Sequence, residues 1–194
     1  MKEDISKWWK YACLTLLSLI VMFVVGVFII FNQLFPEVEQ TSPIHFIDQD
    51  SEVAFTVSTN REQINQWIKS ELASNEQETL DFYVEITENQ ILFETYLTIL
   101  WRTTKAEVTF VPEVAPNGDL LLQQQSVQVG NLPLPGEQVL QMIDRHVELP
   151  KLVTVYPDQR LVRLAVSELE FGGFTFGVRQ FDLENNIIEF MMRQ

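Results

Sequence analysis

YACLTLLSLIVMFVVGVFIIF, residues 11–31, is the stretch that decides how this chain is organised. It contains no Asp, Glu, Lys or Arg, and its only hydroxyl groups belong to Tyr11, Thr15 and Ser18. A helix rises 1.5 Å per residue, so about 21 residues span the roughly 30 Å hydrocarbon layer of a bilayer. Because lipid offers the backbone no hydrogen-bonding partner, the stretch predicts a transmembrane helix rather than a buried helix of a soluble core.

The charges around this stretch predict its orientation. Lys2, Lys7 and Lys10 precede it, and the next Lys or Arg is Arg61. Basic residues are enriched on the cytoplasmic side of membrane spans. We therefore expect a single-pass protein of the cell membrane, with residues 1–10 cytoplasmic, the C-terminal domain extracytoplasmic and the lipid bilayer as a partner.

Two other interpretations of the N-terminal stretch fit less well. A cleaved signal peptide has an apolar region of about 7–15 residues and a small-residue cleavage site, whereas this run is longer and ends in FNQLF, residues 31–35. A lipoprotein cysteine follows an apolar region, but Cys13 stands near the start of one. The sequence therefore predicts an uncleaved anchor over residues 11–31, with Cys13 as a small buried residue.

Composition limits the partners of the remaining chain. The whole chain has a formal net charge of −14, and the part after the anchor holds 25 acidic and 10 basic residues, a net charge of −15. Such a surface repels nucleic acid and anionic headgroups, so we expect no nucleic-acid partner. The only cysteine lies in the anchor, so the outer domain has no disulfide, which is ordinary for a bacterial protein.

After a polar connector at residues 32–43, residues 44–194 are long enough for one domain with its own core. Two helices are predicted in it. The first follows a capping box of Thr59 and Glu62 and carries one apolar stripe. The second covers about residues 137–147. The stripe residues are Ile64, Trp67, Ile68 and Leu72 in the first helix, and Val139, Leu140, Met142, Ile143 and Val147 in the second.

The rest of the domain has the alternating apolar pattern and turn residues of strands. Strands are predicted at residues 53–57, 82–87, 91–103, 105–111, 120–129, 152–156, 160–171, 174–183 and 187–192, with a short extended piece at 44–47. Pro112 is expected to end a strand, and strands joined by short turns favour antiparallel pairing. The predicted class is α+β, in which the transmembrane helix precedes a curved antiparallel β-sheet packed against two amphipathic helices.

Catalytic and metal-binding patterns are missing from the sequence. Its two histidines, His45 and His146, have no neighbouring ligand cluster, and His146 has the position of a helix C-terminal residue. Glu168 and Glu170 alternate on one predicted strand, which suits a solvated face better than a glycosidase pair. We therefore expect a non-enzymatic protein with no metal and no cofactor.

Apolar residues occur on both faces of several predicted strands. This surplus fits either a core with a covered outer face or a groove for an apolar ligand between the helices and the sheet. The groove hypothesis assigns ligand binding to the two helix stripes and to one strand. Its residues are Ile64, Trp67, Ile68, Tyr96, Leu97, Val139, Met142 and Ile143.

Three segments resemble a known family. They are TNREQINQWI at residues 59–68, NLPLPG at residues 131–136, and the pattern F-x-F-x-x-x-x-F-D at residues 174–182. Together with the N-terminal span they are similar to the YpmS-like proteins, small membrane-anchored proteins of Gram-positive bacteria. The resemblance covers nearly the whole chain and carries no catalytic motif. The order of helices and strands is also similar to tubular lipid-binding envelope proteins, in which two helices and a curved sheet enclose a lipid.

The sequence thus predicts a membrane-anchored extracytoplasmic module that binds or handles a lipid or other apolar ligand at the cell envelope. The alternative is a non-enzymatic structural or interaction domain that binds an envelope protein or a wall component. A lined groove would favour the first function, and a filled core with an exposed apolar patch would favour the second.

Overall fold

The computed structural model describes residues 21–27, 29, 41, 53–74, 82–99, 102–130 and 134–194. The chain divides into two compact units, Met1–Glu37 and Val38–Gln194. In the first unit, residues 21–27 and 29 are helical. No helix within the described ranges is both long and apolar enough to cross a bilayer. The remainder of the predicted anchor, Cys13, His45 and the extended piece at residues 44–47 lie outside the described residues.

The Val38–Gln194 unit has the predicted α+β class. Its described helices are α1 (Arg61–Ser74) and α2 (Gly136–His146), and short 3-10 helices cover Pro157–Gln159 and Val166–Glu168. The described strands are β1 (Val53–Thr59), β2 (Phe82–Ile86), β3 (Ile91–Ile99), β4 (Arg102–Val114), β5 (Leu120–Val129), β6 (Val153–Tyr156), β7 (Leu161–Leu164), β8 (Glu170–Phe171), β9 (Phe174–Asp182) and β10 (Ile187–Arg193).

These strands pair antiparallel, as predicted, but they form two sheets where one was expected. Six strands follow the order β2-β3-β4-β5-β7-β6, and four follow the order β1-β10-β9-β8. The second sheet exists because β1 pairs with β10, across almost the whole domain sequence. A sequence pattern of strands joined by short turns predicts pairing only between strands that are neighbours in the sequence. It therefore does not predict the long-range pairing of β1 with β10. A bulge between Thr109 and Phe110 distorts the six-stranded sheet locally.

One hydrophobic core joins the two sheets and the helices. The inward face of β3 and β4 supplies Leu97 and Val108, and α2 supplies Val139, Leu140 and Ile143. The four-stranded sheet adds Val178 and Ile188, of which Ile188 is fully buried. Ile64 and Ile68 of α1 are partly buried against the same core. The apolar stripe of α2 and the Ile64 and Ile68 side chains of α1 therefore pack inward, whereas Trp67 of α1 is exposed.

Two predicted strand boundaries near β4 are wrong. The strand expected over residues 91–103 is split, because Ile99 pairs with Arg102 across a two-residue connection. Pro112 does not end a strand, since β4 continues to Val114 and pairs Pro112 with Leu122 of β5. Pairing between β3 and β4 ends at Phe110 of β4. At Pro112, β4 therefore has a strand partner on one side only, so the lack of a backbone N–H is tolerated there.

The predicted strand at residues 160–171 is also broken. It contains β7, a 3-10 turn and the short β8. The backbone N–H of Ser167 donates to Oδ1 of Asp119 over 2.9 Å, and the N–H of Ala165 donates to the carbonyl of Leu152 over 2.8 Å. These two bonds replace ladder bonds and turn the chain from one sheet to the other.

Candidate functional site

The predicted groove residues divide between the core and the surface. Leu97, Val139 and Ile143 are at most 3% exposed and belong to the hydrophobic core. The partly buried members of the set pack against that core; they are Ile64, Ile68 and Met142. The inner part of the predicted site is therefore packed by protein side chains.

Trp67 and Tyr96 are the exposed members of the predicted site, each with 64% of its surface accessible. Tyr96 and the buried Leu97 are consecutive in β3, so their side chains point to opposite faces of the sheet. The structure therefore does not bring Tyr96 to the core-facing members of the set. As a ligand site the set stays a prediction.

The outer face of the six-stranded sheet around Tyr96 is polar. Lys105 pairs with Tyr96 across the β3–β4 ladder, and its Nζ lies 2.7 Å from Glu94 and 3.2 Å from Glu107. Hydrogen bonds to Glu94 and then Glu107 raise the pKa of Lys105, so it stays a cation there. This face has the charge ladder of a solvated sheet surface.

A different apolar surface lies on the four-stranded sheet. Phe55 of β1 pairs with Met192 of β10, and Met192 pairs with Phe176 of β9, so the three side chains share one face. Phe171 and Phe174 form the neighbouring pair across β8 and β9. We call this set the phenylalanine surface; it comprises Phe55, Val57, Leu169, Phe171, Phe174, Phe176 and Met192.

Four residues of the phenylalanine surface, Phe55, Val57, Leu169 and Phe171, are exposed, and the other three are half-buried. The exposed fraction is 58% for Phe55, 52% for Val57 and 79% for Phe171. The rings of Phe55 and Phe174 meet edge to face with their centroids 6.2 Å apart, so the residues form a continuous patch. A contiguous exposed apolar patch marks a site that contacts another apolar body.

The sequence contained part of the signal for this surface. Val53, Phe55 and Val57 alternate with small or polar residues, and phenylalanines are dense after residue 170. What the pattern lacks is the pairing of β1 with β10, which unites the two ends of the domain. Residue periodicity indicates which face of a strand is apolar, but it does not indicate which distant strand is its partner.

A polar cluster connects the two sheets at Asp119. The fully buried Asp119 carboxylate lies 2.7 Å from Arg163, and its Oδ2 accepts a 2.8 Å hydrogen bond from Asn117 Nδ2. Burial alone would raise the pKa of Asp119, but the Ser167 backbone, Asn117 and Arg163 bonds together hold the pKa below its usual value. The carboxylate is fully paired, so it acts as a structural anchor rather than a proton-transfer group.

Glu168 and His146, two other candidates for chemistry, are also engaged in structural contacts. Arg163 lies 2.9 Å from Glu168, which belongs to the 3-10 helix Val166–Glu168, whereas Glu170 belongs to β8. His146 occupies the last turn of α2, as predicted, with Nδ1 2.9 Å from the Met142 carbonyl oxygen. Among the residues that the structure describes, no group of three His, Cys, Asp or Glu could hold a metal ion.

A surface depression of about 410 Å³ lies away from both apolar sites. Hydrogen bonds from the Asn185 side chain, then from its backbone, lower the pKa of Asp182 at its rim. Its lining mixes polar and apolar residues from the β2–β3 turn, β4 and the β9–β10 turn. These residues are Asn89, Val111, Pro112, Gln180, Phe181, Asp182, Leu183 and Glu184.

Comparison with known proteins identifies the family. Residues 7–194 match a family described as "uncharacterized protein conserved in bacteria" (DUF2140). The uncharacterized protein YpmS of Bacillus subtilis strain 168 is 28% identical over 142 residues, or 73% of this chain and 75% of YpmS. No solved structure gives a significant match, so the likeness to tubular lipid-binding proteins stays a prediction. The resemblance to YpmS-like proteins is confirmed, and since the family match covers nearly its whole length, the chain belongs to the bacterial family DUF2140.

Proposed function

We propose that this protein is a non-enzymatic, membrane-anchored extracytoplasmic module that binds a lipid or other apolar ligand. The observation that carries the proposal is the exposed phenylalanine surface of the four-stranded sheet. Leaving several large apolar side chains in water is unfavourable by roughly 25 cal/mol per Å², so covering them with an apolar ligand is favourable. Of the helix-stripe residues in the predicted site, only Trp67 is exposed.

The anchor is supported by the N-terminal sequence. Residues 11–31 are free of charged side chains, and the large apolar residues described within them are 49–77% exposed. Such a helix is suited to lipid, and Lys2, Lys7 and Lys10 favour a cytoplasmic N-terminus. The net charge of −15 after the anchor disfavours nucleic acid as the partner of the outer domain.

Photo-crosslinking in native membranes tests this proposal on the full-length protein. The probe is a phosphatidylcholine with a photoactivatable acyl chain, and crosslinked peptides are identified by mass spectrometry. We expect crosslinks on peptides of β1, β9 and β10, besides those on residues 11–31. The anchor peptides serve as an internal reference for the amount of probe.

Three single variants locate the contact. Phe55→Gln should reduce the crosslinks on the domain several-fold, because it places a polar amide within the apolar patch. Trp67→Gln should leave them unchanged if the phenylalanine surface binds, and should reduce them if the predicted helix stripe binds. Val111→Gln is the matched control, since Val111 is 41% exposed and belongs to neither set. Crosslinks confined to the anchor peptides in the wild-type protein would contradict lipid binding.

One observation favours the alternative of an interaction domain. Strand β1 reads VAFTVST, carries no charge, and within the described ranges pairs only with β10. An uncharged edge strand can add a strand from another protein. A photoreactive group attached to the protein at position 56, in place of Thr56, would then crosslink one envelope protein. The photoactivatable lipid would leave the domain unlabelled.

A further inference from the structure

The hairpin between β8 and β9 forms a projecting tip. Its turn is Gly172-Gly173, with φ angles of +62° and +82°. Two consecutive positive φ angles are typical of the tight two-residue turns that match strand twist, and glycine adopts them without strain. A Cβ atom added at either glycine would meet nothing within 4 Å. The tip of the hairpin therefore stands clear of the rest of the domain.

Phe171 is at this tip and is highly exposed. Its exposed fraction of 79% is the highest among the large apolar residues described in the Val38–Gln194 unit. Its cross-strand partner is Phe174, which in turn contacts Phe55. A single ring on a convex tip cannot enclose a small ligand, which needs a concave site. It can instead enter a soft apolar medium that closes around it.

The charge around the tip indicates which kind of apolar environment Phe171 can enter. Residues 164–178 contain no Lys or Arg, Glu170 is an exposed acid, and the exposed Glu168 is paired with Arg163. Proteins that bind anionic headgroups place basic residues beside the inserted side chain. The hairpin therefore suits a zwitterionic or uncharged lipid surface and is repelled by an anionic one.

A short tether would keep the hairpin close to lipid. Residues 30–40 separate the apolar N-terminal helix from Thr41, whose N–H donates to Asp158 Oδ2 over 2.9 Å. A chain of about 11 residues extends at most about 40 Å. If the helix is anchored in a bilayer, such a tether gives the domain a high effective concentration at that bilayer. A contact as small as one ring then becomes sufficient for docking.

We infer that the β8–β9 hairpin docks the domain on the bilayer by inserting Phe171 at the boundary between headgroups and acyl chains. The inference rests on the membrane anchoring in the proposed function, and it names the bilayer itself as the apolar partner of the tip. Phe55 and Phe174 lie behind the tip and extend the apolar contact.

The test uses full-length protein reconstituted in phosphatidylcholine vesicles. In a Cys13→Ser background, Phe171→Cys carries an environment-sensitive fluorophore, and Thr154→Cys on the exposed part of β6 carries the same label as control. We expect the label at position 171 to be blue-shifted, quenched by lipid-borne nitroxide, and about threefold or more better protected from aqueous iodide than the control. Replacing a third of the lipid by phosphatidylglycerol should reduce that protection.

Other outcomes overturn the inference in distinguishable ways. A label at position 171 as accessible to iodide as the one at position 154 refutes insertion. If Phe55-dependent lipid crosslinks persist in that case, the proposed lipid binding stands and only the docking mode fails. A further outcome is that the label at position 171 loses its protection from iodide when fewer protein molecules are reconstituted per vesicle. In that case the partner of the hairpin tip is a second copy of the protein and not lipid. Thermal unfolding of each labelled protein checks that the fold is intact.

Discussion

Asp119 shows how one buried side chain stabilises the junction of the two sheets. Its carboxylate bonds to Arg163 of β7 and to the backbone N–H of Ser167 in the turn that leads toward β8. The adjacent Gly118 carbonyl accepts a 2.7 Å hydrogen bond from the N–H of Val178 in β9. Without the Asp119 carboxylate, Glu168, which is exposed, would be the one acidic partner of Arg163 among the described residues. Much of the Arg163 guanidinium would stay buried.

Asp119→Asn should destabilise the domain by about 3–5 kcal/mol at neutral pH, because it removes one partner of a buried ion pair. The pH dependence follows from the lowered pKa in the folded state. Its stabilisation is complete above the unfolded-state pKa of about 3.9 and is lost as pH falls through the folded pKa. Urea unfolding of both proteins between about pH 7 and pH 2 measures the difference, which should shrink in acid.

The exposed Asp144→Asn is the control for this series and should change stability by less than about 0.5 kcal/mol. Since other carboxylates with lowered pKa values, such as Asp182, are present in both proteins, the wild-type minus variant difference isolates Asp119. A difference that is constant down to the lowest pH would contradict the assigned role.

The start of α1 shows what residue patterns can and cannot predict. A capping box of Thr59 and Glu62 was the expectation, and the helix does begin there, but Asn60 caps it by accepting the N–H of Gln63 over 2.9 Å. Glu62 accepts instead from Asn186, whose Oδ1 also accepts the N–H of Arg61. The local sequence locates the helix start, while the distant Asn186 decides which side chains complete it.

At the scale of elements, the turn between β4 and β5 packs closely against β9. A Cβ on Gly118 would lie 3.0 Å from the Gly177 Cα and 3.1 Å from the Met191 Cε, and Gly118 has a φ of +88°. Glycine is therefore required here both by backbone conformation and by the close approach of the two sheets.

Gly118→Ala should accordingly destabilise the domain by about 1–3 kcal/mol. Gly172→Ala provides the comparison, since it has a positive φ but no neighbour within 4 Å, and should cost about 1 kcal/mol or less. Thermal unfolding of the two variants measures the difference. Equal losses would show that backbone strain alone, and not contact between the sheets, makes glycine necessary at position 118.

Helices and local strand pairs were predictable because they depend on short-range patterns. The start of α1 and the bounds of α2 and β5 agree with the sequence expectation to within a residue or two. The split of the sheet was not predictable, because the pairing of Phe55 with Met192 joins opposite ends of the domain. The same distinction applies to the predicted ligand site. The apolar stripes of the helices were identifiable from the sequence. Whether they pack against the core or bind a ligand depends on which residues of the sheets lie opposite them.

Met142→Trp separates these two roles for the helix stripe. Met142 is partly buried against the core. If that contact is tight packing, the larger ring should destabilise the domain by about 1–3 kcal/mol. If a groove for an acyl chain lies there, lipid crosslinking should fall while the unfolding temperature is unchanged. The packing in the structure favours the first result, and the second would restore the predicted helix groove as the ligand site.

At the scale of the whole molecule, a net charge of −15 and a concentrated apolar surface coexist on the chain after residue 31. The charge keeps copies of the domain apart and away from anionic lipid, whereas the phenylalanine surface attracts an apolar partner. Both properties are useful together only if the domain and its partner are held in the same compartment. In the proposed function, the orientation of the N-terminal anchor determines which compartment that is.

Protease treatment of intact protoplasts tests that orientation. With Lys2, Lys7 and Lys10 inside, the domain beyond Phe35 is outside, so external protease should remove it and leave a membrane-protected fragment that includes residues 11–31. A tag at the N-terminus should survive in that fragment, and the same tag should be lost after the protoplasts are lysed. Full protection of the domain in intact protoplasts would reverse the predicted orientation. The phenylalanine surface would then face the cytoplasmic leaflet, whose anionic lipids repel the exposed Glu170, and charge repulsion would oppose lipid docking by the hairpin.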